Sequence, residues 1–243
     1  MFKFKLYDNF SQKELDKELW DIRISPPLSK SANIAVNTER KRLNIKIDVK
    51  DPTPLFEAKY ASPTLQGPRF PAWITKEEIW DGVEVHSKKA CNVNGIKARI
   101  GLHRYKGKGN IYLRGDGPNY HYLLGIDCSS KDIFLHVMDK NCNYIQEGRI
   151  HHKDHFKTEP YEAELGIVWE NDNVIYIIDD VSHRFTLSSK VNKELVERLQ
   201  KDCEEIYSKG LEGFCIRSDV CVKYFGEPRI ETYASYVEIK EIK

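Results

Sequence analysis

The stretch YEAELGIVWENDNVIYIIDD, residues 161–180, decides the fold class because it holds two apolar runs separated by a polar tetrapeptide. The runs are ELGIVW and VIYIID, and the tetrapeptide extends from Glu170 to Asn173. Two short apolar runs joined by turn-forming residues predict a β-hairpin. The paired aspartates Asp179 and Asp180 predict a turn after the second strand. The middle of the chain is therefore expected to be antiparallel β-structure.

Apolar and polar residues alternate in further segments on both sides of this hairpin. The strand-like segments are RLNIKIDVK, IWDGVEVHSK, GIKARIGLHRY, NIYLRGD, NYHYLLGID, DIFLHVMD and YIQEGRI. Short alternating segments with turn residues between them predict an all-β fold of two antiparallel sheets packed face to face. The residues expected between the two sheets are Leu124, Ile126, Leu135, Val137, Ile167 and Trp169.

One strong helical pattern interrupts the strands near the C-terminus. In NKELVERLQKDCEEIYSKG, apolar residues recur at helical spacing and end at Gly210, a common helix terminator. The residues on the apolar face are Leu195, Leu199, Cys203 and Ile206. We predict one added α-helix over about 192–209, with a cap at Asn192, before two closing strands in GFCIRSDVCVKYF and YASYVEIKEI.

Length and charge restrict the class of protein. A chain of 243 residues can bury most of its apolar surface in one core, so we expect a single domain over 1–243. The formal net charge of +1 provides no global field for nucleic acid or an anionic membrane. No apolar run approaches the roughly 20 residues of a membrane span. We expect no nucleic-acid partner and no membrane insertion, and the oligomeric state is left open.

The six cysteines show neither a CxxC motif nor a Cys/His spacing typical of a zinc site. We therefore predict no metal site and no cofactor. A chain of this length does not need disulfides, and cysteine is a common small buried residue, so free thiols in a cytoplasm are favoured. No leader pattern precedes Asp8. A secreted protein whose leader has been removed is the alternative localisation.

The order of these segments resembles the concanavalin A-like lectin/glucanase superfamily. The matching landmarks are DNFS to Trp20, the strand RLNIKI, the pair EIWDGVEVHSKK and NGIKARIGLHRY, the hairpin around Trp169 and the closing ETYASYVEIKEI. Together they are similar to accessory domains of β-xylosidases and to laminin G-like domains. The resemblance implies a two-sheet jelly-roll sandwich, with a concave face that grips glycans and Trp169 packed in the core.

In the hydrolase branch of that superfamily, the resemblance implies a catalytic strand motif of the form Glu-x-Asp-x-x-Glu. Its two carboxylates act as nucleophile and general acid. The segment KEEIWDGVE contains Glu77, Glu78, Asp81 and Glu84, but not at that spacing. Retaining hydrolysis of the laminarinase type is therefore disfavoured, and no catalytic residue is assigned.

Alternation within the strands predicts which side chains point away from the core. In GVEVHSK, Val83 and Val85 are assigned to the core, so Glu84 and His86 point to the opposite side. The same reasoning assigns to the off-core side Arg99, His103, His121, His136 and Glu164. If these strands share one sheet, the seven side chains line one polar face. Aromatic residues close by in sequence are Trp73, Trp80, Tyr105, Tyr120 and Tyr122.

The leading functional hypothesis is a carbohydrate-recognising sandwich that binds an oligo- or polysaccharide on this concave face. The first alternative is a polysaccharide lyase or glycoside hydrolase acting on the same face. The second is a structural or protein-interaction module of the laminin G-like kind. Because free histidine titrates near pH 6.5, the histidine-rich face also predicts tighter binding of acidic glycans at lower pH.

Three motifs are better explained by structure than by chemistry. HHKDH, with His151, His152 and His155, lacks a fourth metal ligand at diagnostic spacing. RGD, at residues 114–116, precedes Gly117 and is interpreted as part of a turn. YKGKGN is interpreted as a hairpin tip, because it lacks the length and the following helix of a phosphate-binding loop.

Overall fold

The computed structural model describes residues 2–54, 78–89, 92–141, 144–150, 159–185, 193–223 and 227–242. Strands dominate these residues, and in chain order they are β1 (Lys5–Asp8), β2 (Trp20–Ile24), β3 (Ala32–Asn37), β4 (Arg42–Asp48), β5 (Glu78–Ser87), β6 (Val93–Lys106), β7 (Lys108–Asp116), β8 (Tyr120–Asp127), β9 (Asp132–Asp139), β10 (Tyr144–Ile150), β11 (Tyr161–Glu170), β12 (Asn173–Ile178), β13 (Val181–Phe185), β14 (Gly213–Lys223) and β15 (Arg229–Glu241). A short 3-10 turn covers Pro26–Leu28, and helix α1 covers Lys193–Lys209.

The strands form two antiparallel sheets, which we call sheet A and sheet B. Sheet A has the order β13-β12-β11-β6-β15-β4-β3, and β1 also pairs with β15. Sheet B has the order β10-β9-β8-β7-β14-β5-β2. The predicted two-sheet antiparallel jelly roll is therefore confirmed.

The hairpin predicted from residues 161–180 is formed by β11 and β12. Its connection is Asn171-Asp172, where Asn171 has a φ of 54°. The paired aspartates Asp179 and Asp180 have φ values of 46° and 68°, and they connect β12 to β13. Positive φ at both central residues defines the two-residue turn that matches the twist of paired strands. The aspartates therefore form a second hairpin turn, as predicted.

The predicted core lies between the sheets. Its members are all at most 6% exposed: Leu124, Ile126, Leu135, Val137, Ile167 and Trp169. The ring of Trp169 packs edge-on against Tyr122, with centroids 5.3 Å apart. A Cβ atom on Gly115 would lie 2.3 Å from Cη2 of Trp169, so the indole needs a glycine at that position in the facing sheet.

Helix α1 packs on the sandwich through the face predicted from its sequence. Leu199, Cys203 and Ile206 are buried. The helix ends at Gly210, whose φ is 91° and whose N–H donates to the carbonyl of Ile206 at 2.8 Å. The proposed cap, Asn192, lies outside the described residues.

A buried carboxylate in the helix was not predicted. Asp202 is 0% exposed and accepts hydrogen bonds from the Tyr122 hydroxyl at 2.9 Å and the Asn119 backbone N–H at 2.7 Å. Burial raises its pKa. These bonds fasten the helix to β8 and to the loop that precedes it.

Three consecutive strands, β5, β6 and β7, alternate between the sheets. Strand β5 belongs to sheet B, β6 to sheet A and β7 to sheet B. The off-core faces of two packed sheets point in opposite directions. A side chain that points off the core from β6 is therefore on the other side of the molecule from one that does so from β5.

The described cysteines are buried thiols: Cys128, Cys203, Cys215 and Cys221. Cys91, Cys142 and the HHKDH motif lie outside the described residues. Among the residues that are described, no helix is long and apolar enough to cross a bilayer.

Candidate functional site

The structure divides the seven predicted site residues between the two sheets. The off-core face of sheet B, which we call the sheet B face, carries Glu84, His86, His121 and His136. The off-core face of sheet A, the sheet A face, carries Arg99, His103 and Glu164. The prediction that all seven share one face is therefore wrong, because β6 and β11 belong to sheet A. The ligand-binding role of each residue stays a prediction.

Glu84 is the centre of a buried ion-pair network on the sheet B face. Its Oε1 accepts hydrogen bonds from Arg114 Nη1 at 2.5 Å and from Arg217 Nη1 at 2.8 Å. Burial disfavours the carboxylate, but the charges of both arginines outweigh burial and lower the pKa of Glu84. Glu84 is thus held ionised by two guanidinium groups.

A second carboxylate on this face, Asp116, binds Arg114 from the end of β7. Arg114 Nε and Nη2 donate to its two oxygens at 2.8 and 3.3 Å. The same oxygens lie 2.7 Å from His121 Nδ1 and 3.2 Å from His86 Nε2. Burial again opposes ionisation, but Arg114 and both histidines hold the pKa of Asp116 well below its ordinary value. Two of the predicted histidines therefore orient a carboxylate.

The third carboxylate, Asp219 on β14, accepts hydrogen bonds from Arg217 Nε at 2.6 Å and from the Tyr112 hydroxyl at 2.9 Å. Burial raises its pKa despite these donors. A Cβ atom on Gly82 would lie 1.9 Å from Asp219 Oδ1. The carboxyl group of Asp219 thus occupies the space that a side chain at position 82 would need.

His136 differs from the other two histidines of the sheet B face. Burial lowers its pKa to about 4, although Glu147, 3.5 Å from its Nε2, favours the charged form. Its ring contacts Phe134, with centroids 4.8 Å apart. His136 is therefore neutral between pH 5 and 6.5, so it does not supply the positive charge that the sequence predicted for acidic glycans at those pH values.

The sheet B face has a cavity of about 80 Å³, which we call the sheet B cavity. Its lining combines aromatic, apolar and charged side chains: Trp80, Asn110, Tyr112, Leu123, Asp127, Phe134, His136, Met138, Glu147, Arg149 and Asp219. It is smaller than the roughly 300 to 1,000 Å³ of typical small-molecule sites. A ligand here would lie across the opening and insert one group.

Strand β5 presents four consecutive off-core positions to the sheet B face: Trp80, Gly82, Glu84 and His86. Only one of them is a carboxylate, and two arginines already bind it. Among the side chains of β5 that the structure describes, none adds a second carboxyl group on this face for the pair that glycoside hydrolysis requires. The other carboxylates of the network, Asp116 and Asp219, come from neighbouring strands.

Sequence reasoning missed Arg114, Asp116, Arg217 and Asp219. The glycine-rich surroundings of the RGD motif predict a turn, but its arginine and aspartate belong to β7 and extend into the ion-pair network. Alternation could have found all four, because Leu113 and Ile216 are core residues and their neighbours must point off the core. These four residues are arginines and aspartates, whereas the predicted site was built mainly from histidines.

The sheet A face carries separate, more exposed ion pairs. Arg99 Nη2 lies 2.5 Å from Glu162 Oε1, and Lys97 Nζ lies 3.1 Å from Glu164 Oε1. The side chain of His103 is 39% exposed on the same face. Arg99 and Glu164 thus have partners within sheet A, whereas His103 lines a separate pocket.

Comparison with solved structures finds the same architecture in several proteins of low sequence identity. A prokaryotic β-1,3-1,4-glucanase (lichenase) from a mouse hindgut metagenome has a TM-score of 0.59 and 11% identity, covering 97% of this chain and 98% of that chain. A laminarinase catalytic domain from Thermotoga petrophila has a TM-score of 0.56 and 15% identity, covering 100% of both chains. A glycoside hydrolase family 16 endo-glucanase from Bacteroides ovatus has a TM-score of 0.56 and 13% identity, covering 96% and 98%.

The protein therefore has the concanavalin A-like jelly-roll fold of these solved structures, which is the fold that the resemblance implies. No model of a protein family matches the chain, and no curated protein matches it in sequence. At identities of 11 to 15% the similarity shows the fold. The function has to be argued from the site itself.

Proposed function

We propose that the protein binds a glycan chain on the sheet B face, at the sheet B cavity. The observation that carries this proposal is the composition of the cavity wall. Trp80 offers an apolar ring for stacking against a sugar, and Asn110, Asp127 and Arg149 offer groups for hydrogen bonds to hydroxyls. A small cavity on an extended sheet face fits a polymer that lies along the surface.

The fold comparisons support a carbohydrate ligand. The structures cited above are a lichenase, a laminarinase and an endo-glucanase, and they cover almost the whole chain. Chains of β-linked glucose are therefore the first ligands to test.

The polysaccharide lyase alternative fits the sheet B face less well. A lyase needs an arginine to neutralise the uronate carboxylate of its substrate. Arg114 and Arg217 are at most 3% exposed and already bind the carboxylates of the network. The more exposed Arg149 binds Asp127 at 3.2 Å.

The laminin G-like alternative predicts that the added helix forms a surface for a partner protein. The apolar face of α1 is buried against the sandwich. That face therefore packs against the protein's own core and is not available to a partner protein.

Replacing Trp80 with alanine should weaken glycan binding at least tenfold. Loss of the stacking contact removes about 0.5 to 1.5 kcal/mol of binding free energy, and loss of the buried apolar area removes more. Affinity electrophoresis in gels that contain mixed-linkage glucan, laminarin or xylan measures this effect. Tyr207→Ala is the matched control, since Tyr207 is a 42% exposed aromatic residue on helix α1. Equal retardation of both variants would contradict the proposal.

Glycoside hydrolysis on the same face is the second candidate function, and the identities of the structural neighbours favour it. Hydrolysis requires one protonated and one ionised carboxyl group. Asp219 and Asp127 both line the sheet B cavity, on strands separated only by β7. Burial raises the pKa of Asp219, which favours its protonated form. Asp127 accepts hydrogen bonds from Arg149 Nη1 at 3.2 Å and from the backbone N–H of Ser129 at 2.7 Å.

If the protein is a hydrolase, Asp219→Asn should lower the release of reducing ends at least a hundredfold while leaving glycan affinity within a few-fold of wild type. Asp172→Asn, a change in the β11–β12 turn, is the control. Reducing-end release is measured from the substrates used for binding. Wild-type protein that binds a glycan without releasing reducing ends would reject hydrolysis and leave the binding proposal intact.

A further inference from the structure

A second pocket, of about 260 Å³, lies on the sheet A face and is separate from the sheet B cavity. Two arginines, a histidine, two tyrosines and a glutamate line it: Arg40, Arg42, His103, Tyr105, Glu231 and Tyr233. His103, one of the predicted site residues, therefore belongs to this pocket. The buried ion-pair network lies on the other face, on sheet B.

The two arginines of this pocket lack carboxylate partners among the described residues. Arginines elsewhere in the protein, such as Arg99 and Arg149, pair with a carboxylate at 2.5 and 3.2 Å. In the part of the chain that the structure describes, Nε of Arg42 is buried without a hydrogen-bond partner. An unsatisfied donor on a charged group is costly, so a ligand that supplies an acceptor would be favoured at this position.

Aromatic rings complete the pocket. The guanidinium of Arg42 lies over the Tyr233 ring, 4.2 Å from its centroid. Tyr233 itself lies across Gly101, where an added Cβ atom would approach the ring to 2.3 Å. Glycine at this position lets the tyrosine ring lie flat beneath the arginine and fixes the position of the guanidinium.

The opposite side of the pocket offers an exposed ring and a hydrogen-bond acceptor. Tyr105 is 48% exposed, and its hydroxyl donates to Glu231 at 3.2 Å. The ring of His103 stands edge-on to Tyr105, with centroids 4.4 Å apart, and its Nδ1 lies 2.8 Å from Glu159. The histidine is thus held in place beside the tyrosine, and Glu231 is positioned to accept hydrogen bonds from ligand hydroxyls.

We propose that this pocket binds a sugar ring that carries a carboxylate, such as a uronic acid, at a site separate from the sheet B cavity. Arg42 and Arg40 bind the carboxylate through charge-assisted hydrogen bonds. Tyr105 contacts the apolar side of the ring, and Glu231 accepts from its hydroxyls. The pocket volume fits a single sugar unit, so the end or one residue of an acidic glycan is the expected ligand.

Isothermal titration and amide chemical shifts of the full chain with glucuronate, glucose and inorganic phosphate test this proposal. Glucuronate should bind at least tenfold more tightly than either of the other probes, and it should shift the amide of Gly101. Phosphate binding equal to glucuronate binding would reject recognition of the ring. No binding of glucuronate, or shifts confined to sheet B, would overturn the site.

Variants assign the roles of the side chains. Arg42→Gln should weaken glucuronate binding at least tenfold, and Arg40→Gln should weaken it severalfold. Arg198→Gln, on an exposed part of helix α1, is the matched charge control and should have no effect. Tyr105→Ala should weaken binding of glucuronate but leave that of phosphate unchanged. Wild-type affinity for glucuronate in both Arg42→Gln and Arg40→Gln would contradict the proposal. Loss of glucuronate binding in Trp80→Ala would also contradict it, because Trp80 lines the other cavity.

Discussion

Replacing Trp169 with alanine should lower the free energy of unfolding by about 3 to 5 kcal/mol, the range for deleting a fully buried large aromatic side chain. The indole is 0% exposed and fills the space above Gly115 between the sheets. Its removal leaves a cavity that the surrounding strands cannot easily close, because both sheets are fixed by their hydrogen-bond ladders. Urea denaturation followed by far-UV circular dichroism measures the loss.

Trp169→Phe is the informative control for this experiment. Nε1 of Trp169 has no hydrogen-bond partner among the described residues. A phenyl ring therefore loses volume but no hydrogen bond, and we expect less than half of the alanine effect. A loss well under 1 kcal/mol for Trp169→Ala would show that the ring is not part of the core.

Replacing Arg217 with methionine should also lower the free energy of unfolding by about 3 to 5 kcal/mol, because it leaves the buried Asp219 without its arginine and Glu84 with Arg114 as its close partner. Arg217 is 0% exposed and binds both Glu84 and Asp219. The loss should be smaller at pH 5 than at pH 8. Burial already raises the pKa of Asp219, so without the arginine a proton can neutralise that carboxylate at mildly acidic pH.

Arg99→Met is the matched control for Arg217→Met. Arg99 pairs with Glu162 at 2.5 Å, but its side chain is 47% exposed. An exposed pair of this kind contributes at most about 1 kcal/mol. Similar losses for the two methionine variants, or a loss for Arg217→Met that does not change with pH, would contradict the assignment of a buried network.

The pattern of apolar and polar residues predicted the strands β4 to β12, β14 and β15, the six core residues and the helix, but it did not predict β3 or β13. The pattern in β11 and β12 identified the hairpin, and Asp179-Asp180 identified its following turn. These features depend on local periodicity, which a single sequence records directly. The same periodicity correctly separated core from off-core side chains in β5, β6, β8 and β9.

Local periodicity does not record which sheet a strand joins. His86 and His103 both point off the core, but β5 and β6 lie in different sheets, so the two histidines are on opposite sides of the molecule. Sheet membership is decided by long-range pairing, such as that of β14 between β5 and β7. That pairing brings Arg217 and Asp219 beside Glu84, and residues so far apart in sequence show no local signal of their proximity.

Titration of ¹⁵N-labelled protein with a mixed-linkage glucan oligosaccharide tests the proposed glycan site most directly. The chain has four tryptophans, and the Trp80→Ala variant assigns the Trp80 indole signal. The proposal predicts a saturable shift of the Trp80 indole N–H, while the signals of Trp20 and Trp169, which are 2% and 0% exposed, stay in place. An unmoved Trp80 signal at oligosaccharide concentrations that shift resonances elsewhere, or no shift with any β-glucan, xylan or mucin-type glycan, would contradict it.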